Sequence, residues 1–326
     1  MKIQLVSVIV PTYNRHEMLR NALLSLTSQQ TGNFDCEIIV IDNGSTDSTR
    51  SVVAEIAASS RVTVSYVREE TQGYSEALNR GVREARGAWL AFFDDDQLAE
   101  PNWLEELLSA ASLTKAQLVG GCIRVQLPPG APRVVGPICR GLLGEQPYDG
   151  TARVCLGKRI PSGGNMMIAR EVFNSIGLFD TSMAIGGCDC EFITRARAAG
   201  FTVATSPALV HHVVSLHRVR SSYLRWTSMR HGCVRAYVDC KNGGRARLLC
   251  LCVARIGQLA VVNLPLYVFS VLTRNPSQSL DRKCLLWRAF GYACATAAFA
   301  APGLVRQTHF FRRLEFRTER TAFSQS

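Results

Sequence analysis

Among twelve cysteines there is no Cys-x-x-Cys pair, so a zinc knuckle has nothing to stand on. The cysteines are scattered through 326 residues, and several sit in apolar runs (Cys250, Cys252, Cys284, Cys294). That pattern reads as small buried hydrophobes in a reducing compartment rather than a disulfide scaffold. A secretory signal is missing too. Residues 1–10 hold one lysine and a short strand-like run, which Pro11-Thr12-Tyr13-Asn14-Arg15 then breaks. Charge is sparse, at 19% of residues against 47% hydrophobic, which excludes global disorder and allows a sizeable core. The charge that is present is unbalanced. A net +11 and a pI near 9.3 suit an anionic partner: nucleic acid, a phosphorylated small molecule or an anionic membrane face.

Up to about residue 113, apolar runs alternate with helical periodicity. Residues 6–10, 37–41, 62–67 and 89–93 read as buried strands. Residues 16–29 read as a helix with Leu19, Leu23, Leu24 and Leu26 inward; a second helix runs to Ala58 with Asp47 in its first turn, and a third covers 74–85. Such alternation predicts an α/β fold, a doubly wound, mostly parallel sheet covered by helices. Asn14, Asp42 and Asp94 to Asp96 all follow strand ends. Ligands of open α/β sheets bind beyond those ends, so these residues are expected to converge on one crevice. Residues 114–160 are less regular, with Pro128-Pro129-Gly130 marking a long connection. Gly163-Gly164-Asn165 leads into an apolar segment, Gly186-Gly187-Cys188-Asp189-Cys190-Glu191 opens a helix, and 201–214 is strand-like and carries His211-His212.

From about 216 the character changes. Arginines dominate (Arg218, Arg220, Arg225, Arg230, Arg235), and two uncharged apolar stretches follow, 256–272 and 289–305. Each is about 17 residues long, the bottom of the range for crossing a bilayer. Spanning, re-entrant and interfacial helices are all open, with a pair of core helices as the plain alternative. Arginines return in the tail (Arg306, Arg312, Arg313, Arg317, Arg320). Basic flanks beside apolar segments favour anionic lipid. Because the charge clusters there, and no base-stacking platform is evident, a nucleic-acid partner is not expected.

Asp94-Asp95-Asp96 is the sharpest chemical feature. Adjacent carboxylates after an apolar strand repel one another and are costly to bury unpaired. A divalent cation relieves that cost, since Mg²⁺ and Mn²⁺ prefer oxygen ligands, often one or two carboxylates plus phosphate oxygens. A solvated acidic turn is the plain alternative.

Four ordered motifs set that triad in a context. They are Val-Ser-Val-Ile-Val-Pro-Thr-Tyr-Asn-Arg (6–15), Ile-Asp-Asn-Gly-Ser-Thr-Asp (41–47), Gly73 with Ala77-Leu78-Asn79-Arg80-Gly81, and Phe-Phe-Asp-Asp-Asp (92–96) followed by Pro101 and Trp103-Leu104. Together they resemble family-2 glycosyltransferases of the GT-A fold. The likeness covers about residues 1–215 and the tail only loosely. It implies that Pro11, Thr12 and Asn14 or Arg15 line a nucleotide pocket and that Asp42 accepts from the base edge. Gly73 and Asn79 then lie on the donor-side helix, Asp94, with Asp95 beside it, approaches ribose and pyrophosphate, and Asp96 ligates Mn²⁺ or Mg²⁺. Asp189 matches the family's general base, which takes the proton of an acceptor hydroxyl. The acid that usually precedes it is replaced here by Cys188, which removes a charge beside the base. His212 falls in the register of a metal-ligating histidine. Neighbouring strand residues face opposite sides, so only one of His211 and His212 can enter the site. Glu191, and Arg225 in a segment faintly like Gln-x-x-Arg-Trp of processive synthases, are weaker contacts for acceptor or phosphate. For Arg225 a basic helix on a membrane surface is the plain alternative.

The resemblance therefore implies a GT-A catalytic domain over 1–215, with a nucleotide-binding half (about 1–113) and an acceptor-binding half (about 114–215). A basic, apolar helical region over 216–326 associates with the membrane. The expected reaction is inverting transfer from a nucleotide-sugar, UDP being the expected nucleotide, to a saccharide or lipid-linked acceptor. The expected place is the cytoplasmic side of a bacterial inner membrane, held peripherally or by up to two spans. Two rivals stay open. A nucleotidyltransferase would share the sheet and carboxylate-held Mg²⁺ but wants a Gly-rich phosphate loop with a lysine, which Pro-Thr-Tyr-Asn-Arg is not. A catalytically inactive nucleotide-sugar-binding or membrane scaffold protein is the other, made conceivable by Cys188.

Overall fold

The computed structural model describes residues 4–131, 135–146, 150–156, 161, 163–183 and 186–301. The arginines from Arg306 onward, and the end of the second apolar stretch, lie outside the described residues. The described chain divides into two compact units, Met1–Gln126 with Glu145–Val213, and Leu127–Gly144 with Val214–Ser326.

The first unit is built on a mixed sheet of nine strands. Strands β1 (Gln4–Thr12), β2 (Phe34–Asp42), β3 (Thr63–Arg68) and β4 (Trp89–Phe93) are linked by helices α1 (His16–Thr27), α2 (Thr49–Ser59) and α3 (Tyr74–Glu84). They pair in parallel in the order β3-β2-β1-β4. Alternate positions Val6, Val8 and Val10 of β1 face the core beneath α1. Helix α1 buries Leu19, Ala22, Leu23 and Leu26, which share one stripe at helical spacing. Leu24, expected inward, is 54% exposed, because it lies about 100° round from Leu23.

After β4 the chain turns through the acidic triad into β5 (Gln97–Ala99), then α4 (Trp103–Thr114) and β6 (Leu118–Gln126). Beyond the short α5 (Pro137–Leu142), which belongs to the second unit, come β7 (Arg153–Val154), β8 (Asn165–Ala169), α6 (Arg170–Ile176), α7 (Cys188–Ala198) and β9 (Val203–Val213). Strand β8 enters antiparallel between β4 and β6, β9 runs parallel to β6, and β5 closes the edge antiparallel to β9. So the sheet is parallel in its first half and mixed in its second. A bulge between Gly120 and Cys122 resets the β6–β9 register. Asn165 locks it: its side-chain amide donates to Cys122 O and Ala208 O, while its Oδ1 accepts from Trp103 Nε1 at 2.8 Å. A side chain on Gly121 would collide with that amide, which explains the glycine.

In the second unit, α8 (Ser221–Gln258) breaks at Gly244, a π-helical turn (Leu259–Asn263) leads to α9 (Leu264–Leu272), and α10 (Pro276–Ala300) follows. Residues 127–144 were expected to belong to the acceptor half but cluster here instead. The Asp281 carboxylate of α10 accepts from the Ile138 and Cys139 N–H groups at the start of α5, at 3.2 and 2.9 Å. One helix in the second unit is long and apolar enough to cross a membrane. The described part of the second apolar stretch has a different fate, for Gly291, Tyr292, Ala295, Thr296 and Ala298 of α10 are buried within the unit.

A buried polar knot fixes the start of β4 against β1 and β2. Glu37, 5% exposed, accepts from Ser7 Oγ (2.6 Å) and from the Arg86 guanidinium (2.6 Å), and Ser7 Oγ accepts from Gly87 N–H. Burial works against the charge on Glu37, but the hydrogen bonds from Ser7 and Arg86 outweigh it and hold the carboxyl below its ordinary range. A lowered folded-state pKa contributes stability above the unfolded value and loses it as pH falls. Glu37→Ala should therefore cost ~2 kcal/mol near neutrality. In urea unfolding its deficit against wild type should narrow as pH drops below about 4.3.

Candidate active site

The crevice forms where β1, β2 and β4 end. Asn14 takes a left-handed conformation (φ 51°) just past β1, a strain that asparagine tolerates. Its N–H donates to Ser45 Oγ and its Oδ1 accepts from Thr46 N–H, so the loops after β1 and β2 are laced together. Asn43 extends the lacing. Its N–H donates to Thr12 O, its amide donates to Thr71 O, and its Oδ1 accepts from Gly73 N–H at 2.7 Å. Gly73 is the residue ahead of α3, so this bond fixes where Tyr74 begins the helix.

The acidic triad is the centre of the crevice, and each carboxylate finds its own partner. Asp94 Oδ1 accepts from Tyr74 OH at 3.0 Å. Asp95 accepts from Thr12 Oγ1 at 2.8 Å and from Arg15 Nη1 at 3.0 Å. Asp96 accepts from the same Arg15 nitrogen at 2.9 Å and lies 3.4 Å from His212 Nε2. Burial, then repulsion from Asp96 and Asp95, lifts the Asp94 carboxyl to about 6. His211 turns the other way and meets Glu100 at 2.8 Å. Alternation along β9 settles which histidine faces inward: His212 is on the buried side with Ala208 and Val210, opposite Gln97 of β5.

The segment Gly163–Gly164 joins this cluster to Asp189. Gly163 N–H donates to Asp189 Oδ2 at 2.9 Å. A Cβ on Gly164 would stand 2.0 Å from Asp94 Oδ2, so no other residue fits there without moving the carboxylate. Asp189 lies in the first turn of α7, and Gly187, in left-handed conformation, precedes the helix (φ 89°). Next to it Cys188 is buried, and burial, reinforced by Asp189, pushes its thiol to about 12. The group standing where an acid was expected is thus neutral at physiological pH.

Three expected contacts do something else in this structure. Asn79 is 3% exposed, and its amide pairs in both directions with the Phe179 backbone, donating at 3.0 Å and accepting at 2.9 Å; it clamps a loop instead of lining the crevice. Asp42 is 1% exposed, with one oxygen accepting from Ser45 N–H and the other from Tyr66 OH at 2.6 Å, so it shapes the loop beneath the crevice. Glu191 pairs with Arg195 one helical turn on, and Arg195 in turn donates to the carbonyls of Ile176 and Leu178. Arg225 lies on α8, in the second unit. Pro11 is the last residue but one of β1, paired with Ile41 of β2.

Tyr74 and Asn43 entered the sequence reading only as a helix start and as part of the 41–47 motif, and Gln97 not at all. Gln97 Oε1 is buried with no hydrogen-bond partner, a burden of about 1–3 kcal/mol that a bound hydroxyl or water would relieve. A cavity of ≈ 210 Å³ opens beside Asp96, with Asn21, Gln97 and Gln126 among its lining residues. Among the described residues no three His, Cys, Asp or Glu side chains converge to hold an ion by themselves. The donor set still fits a hard cation that takes its remaining oxygens from a ligand. Asp96 offers carboxylate and His212 imidazole, and the Arg15 guanidinium already rests as a positive charge on Asp95 and Asp96.

Comparison with known proteins gives a consistent picture. Residues 7–177 match the model of the family described as glycosyl transferase family 2. Glycosyltransferase AglE of Haloferax volcanii is 30% identical over 220 residues, 66% of this chain and 67% of its own. Succinoglycan biosynthesis protein ExoM of Rhizobium meliloti is 30% identical over 233 residues, 70% of this chain and 72% of its own. A solved mannosyltransferase from Pyrobaculum calidifontis, in complex with GDP-Man and Mn²⁺, has a TM-score of 0.62 at 18% identity, covering 90% of this chain and 88% of that one. At that identity the likeness speaks for the fold alone.

Arg15 compensates the triad, so Arg15→Ala should lower the thermal stability of the metal-free protein. Added Mn²⁺ should then stabilise the variant more than it stabilises wild type, as read by thermal unfolding with and without the ion. Equal shifts in both proteins would mean that Arg15 carries none of that compensation.

Proposed function

The chain belongs to glycosyl transferase family 2 and has the GT-A fold, and from that premise we propose that it moves a sugar from a nucleotide-sugar to a saccharide or lipid-linked acceptor hydroxyl by metal-assisted single displacement with inversion. It is a glycosyltransferase, so the nucleotidyltransferase alternative falls away. The observation that carries the finer reading is the junction of Asp94–Asp96 and His212 with Asp189 through Gly163–Gly164.

In this reading Thr12, Asn14 and Arg15 face the donor nucleotide, and Asp94 approaches the ribose. Mn²⁺ or Mg²⁺ would be held by Asp96 and His212, and when bound it neutralises charge developing on the departing diphosphate. Arg15 moves its charge from the carboxylates to a diphosphate oxygen, where a guanidinium pairs well. Asp189 accepts the proton of the acceptor hydroxyl, and Gly163 N–H keeps its carboxylate aimed. Tyr74 and Gly164 hold Asp94 in place. Support for the metal comes from the Pyrobaculum enzyme, whose complex contains Mn²⁺ and GDP-Man. Support for a surface-polysaccharide acceptor comes from the succinoglycan biosynthesis protein among the relatives. UDP is the proposed nucleotide.

Calorimetric titration with UDP, GDP and dTDP, each with and without Mn²⁺, tests the donor half. One nucleotide should bind in a metal-dependent way, and Asp96→Ala should weaken that binding. No binding to any of them by folded protein would favour the inactive scaffold. For the acceptor half, Asp189→Asn should cut kcat ~10³-fold, within the usual reach of a general base, and leave nucleotide affinity unchanged. His212→Ala should lower Mn²⁺-dependent nucleotide affinity and His211→Ala should not. The reverse ranking would remove His212 from the metal site.

A further inference from the structure

The second unit carries an apolar limb whose exposure needs an occupant. Gly244 breaks α8 (φ 71°, ψ −178°), and the chain folds back on itself there. The Asp239 carboxylate lies 3.0 Å from Arg235, 3.4 Å from Arg255 and 3.0 Å from the Tyr292 hydroxyl. On one straight helix Asp239 and Arg255 would be about 24 Å apart. Three limbs result: 221–243, 245–272 and α10. The first and third meet backbone to backbone. A Cβ on Gly232 would stand 2.1 Å from Arg288 O, and one on Gly291 2.2 Å from Met229 O.

The second limb is different. Residues 256–272 hold no charge, and from Leu259 to Leu272 Ser270 is the one residue classed as buried. Val261 is 77% exposed, Phe269 60% and Leu272 76%, with Val262, Leu264, Val268 and Val271 also exposed. At about 100° per residue these side chains span about half the circumference, leaving the side of Asn263 and Ser270 for α10. An ordinary core-facing helix stripe is narrower, about 100° wide. A bilayer covers a wide face at once. Charge agrees with that occupant. Over 240–301 the basic residues are Lys241, Arg245, Arg247, Arg255, Arg274, Arg282, Lys283 and Arg288, against the lone acid Asp281, which is engaged with α5.

The same geometry opposes crossing. Arg282 Nη1 sits 3.4 Å from Asn263 Oδ1, so the start of α10, with Arg282 and Lys283, runs beside the limb. Asn263 is nine residues, about 14 Å, from Leu272. If the 273–275 turn reached the far face, those two cations would lie near the middle of a hydrocarbon core about 30 Å thick. Charges are costly at that depth. Lying in the interface avoids this, since an apolar face sinks only about 5–10 Å and the cations reach lipid phosphates. The Lys283 ammonium over the Trp287 ring (5.2 Å) is a pairing suited to the headgroup level.

We propose that residues 256–272 and the start of α10 form a monotopic hairpin that lies in one leaflet of an anionic bilayer without crossing it. The proposal stands independently of the transferase reading. Full-length protein should float with phosphatidylcholine vesicles containing about 30% phosphatidylglycerol and much less with phosphatidylcholine alone. The double variant Val261→Glu/Phe269→Glu should lose vesicle partitioning by about tenfold or more. Retained far-UV circular dichroism would show that the variant still folds. Sidedness is read with Thr273→Cys in expressing bacterial cells, using an impermeant maleimide and peptide mapping to separate it from the native cysteines. Labelling in inverted inner-membrane vesicles and protection in spheroplasts is expected. Labelling from the spheroplast exterior would overturn the proposal in favour of a span. Absence of vesicle binding, with concentration-dependent dimerisation that the double variant abolishes, would overturn it in favour of a second copy of the chain.

Discussion

Three consecutive carboxylates at the end of a buried strand cannot share one environment, and the first unit is arranged around giving each its own. Tyr74 comes from the start of α3, Thr12 and Arg15 from the end of β1, and His212 from the end of β9. These segments are far apart in sequence. Strand order brings them together, because β1 lies beside β4 and the chain leaving the triad becomes β5, which pairs with β9. Removing any one partner leaves a buried negative charge under-compensated, and low dielectric makes that deficit large. The same need makes the site receptive to a cation and to a ligand that brings its own.

Rigidity around the triad comes from side chains that bond to backbone. Asn14, Asn43 and Asp42 tie the loops after β1 and β2 to each other and to the approach to α3, while Asn79 ties α3 to Phe179. Gly164 allows Asp94 close approach, and Gly163 holds Asp189. The Asp94 and Asp189 carboxylates are therefore linked through two residues of backbone. Preorganisation of this kind favours charge development at fixed positions, which is the largest single lever in many group-transfer enzymes.

In the second unit, two uncharged apolar stretches of similar length differ in composition, and their described residues meet opposite fates. Gly291, Ala295 and Ala298 are small enough to let α10 lie against the first half of α8, where Gly232 gives the matching space. The stretch 256–272 carries large aliphatic and aromatic side chains and stays exposed. Absence of charge does not separate the two. Side-chain size at the crossing point does.

The sequence by itself determined the α/β alternation, because strands and helices have different hydrophobic periods, and four ordered motifs around the acidic triad carried the resemblance to the family and marked the triad as the chemical centre. It also showed that one of two adjacent histidines must turn away. Alternation along β9 puts His212 on the same buried side as Ala208 and Val210, and His211 on the other, where it meets Glu100. The resemblance implied ligand-side roles for Asn79 and Asp42, yet in the fold Phe179 and Tyr66 take up their hydrogen bonds. Tyr74 and Gly164 gained their importance only from standing next to Asp94. Local pattern dictates what a segment is. What a polar side chain does depends on which distant group reaches it first, and only the folded chain settles that.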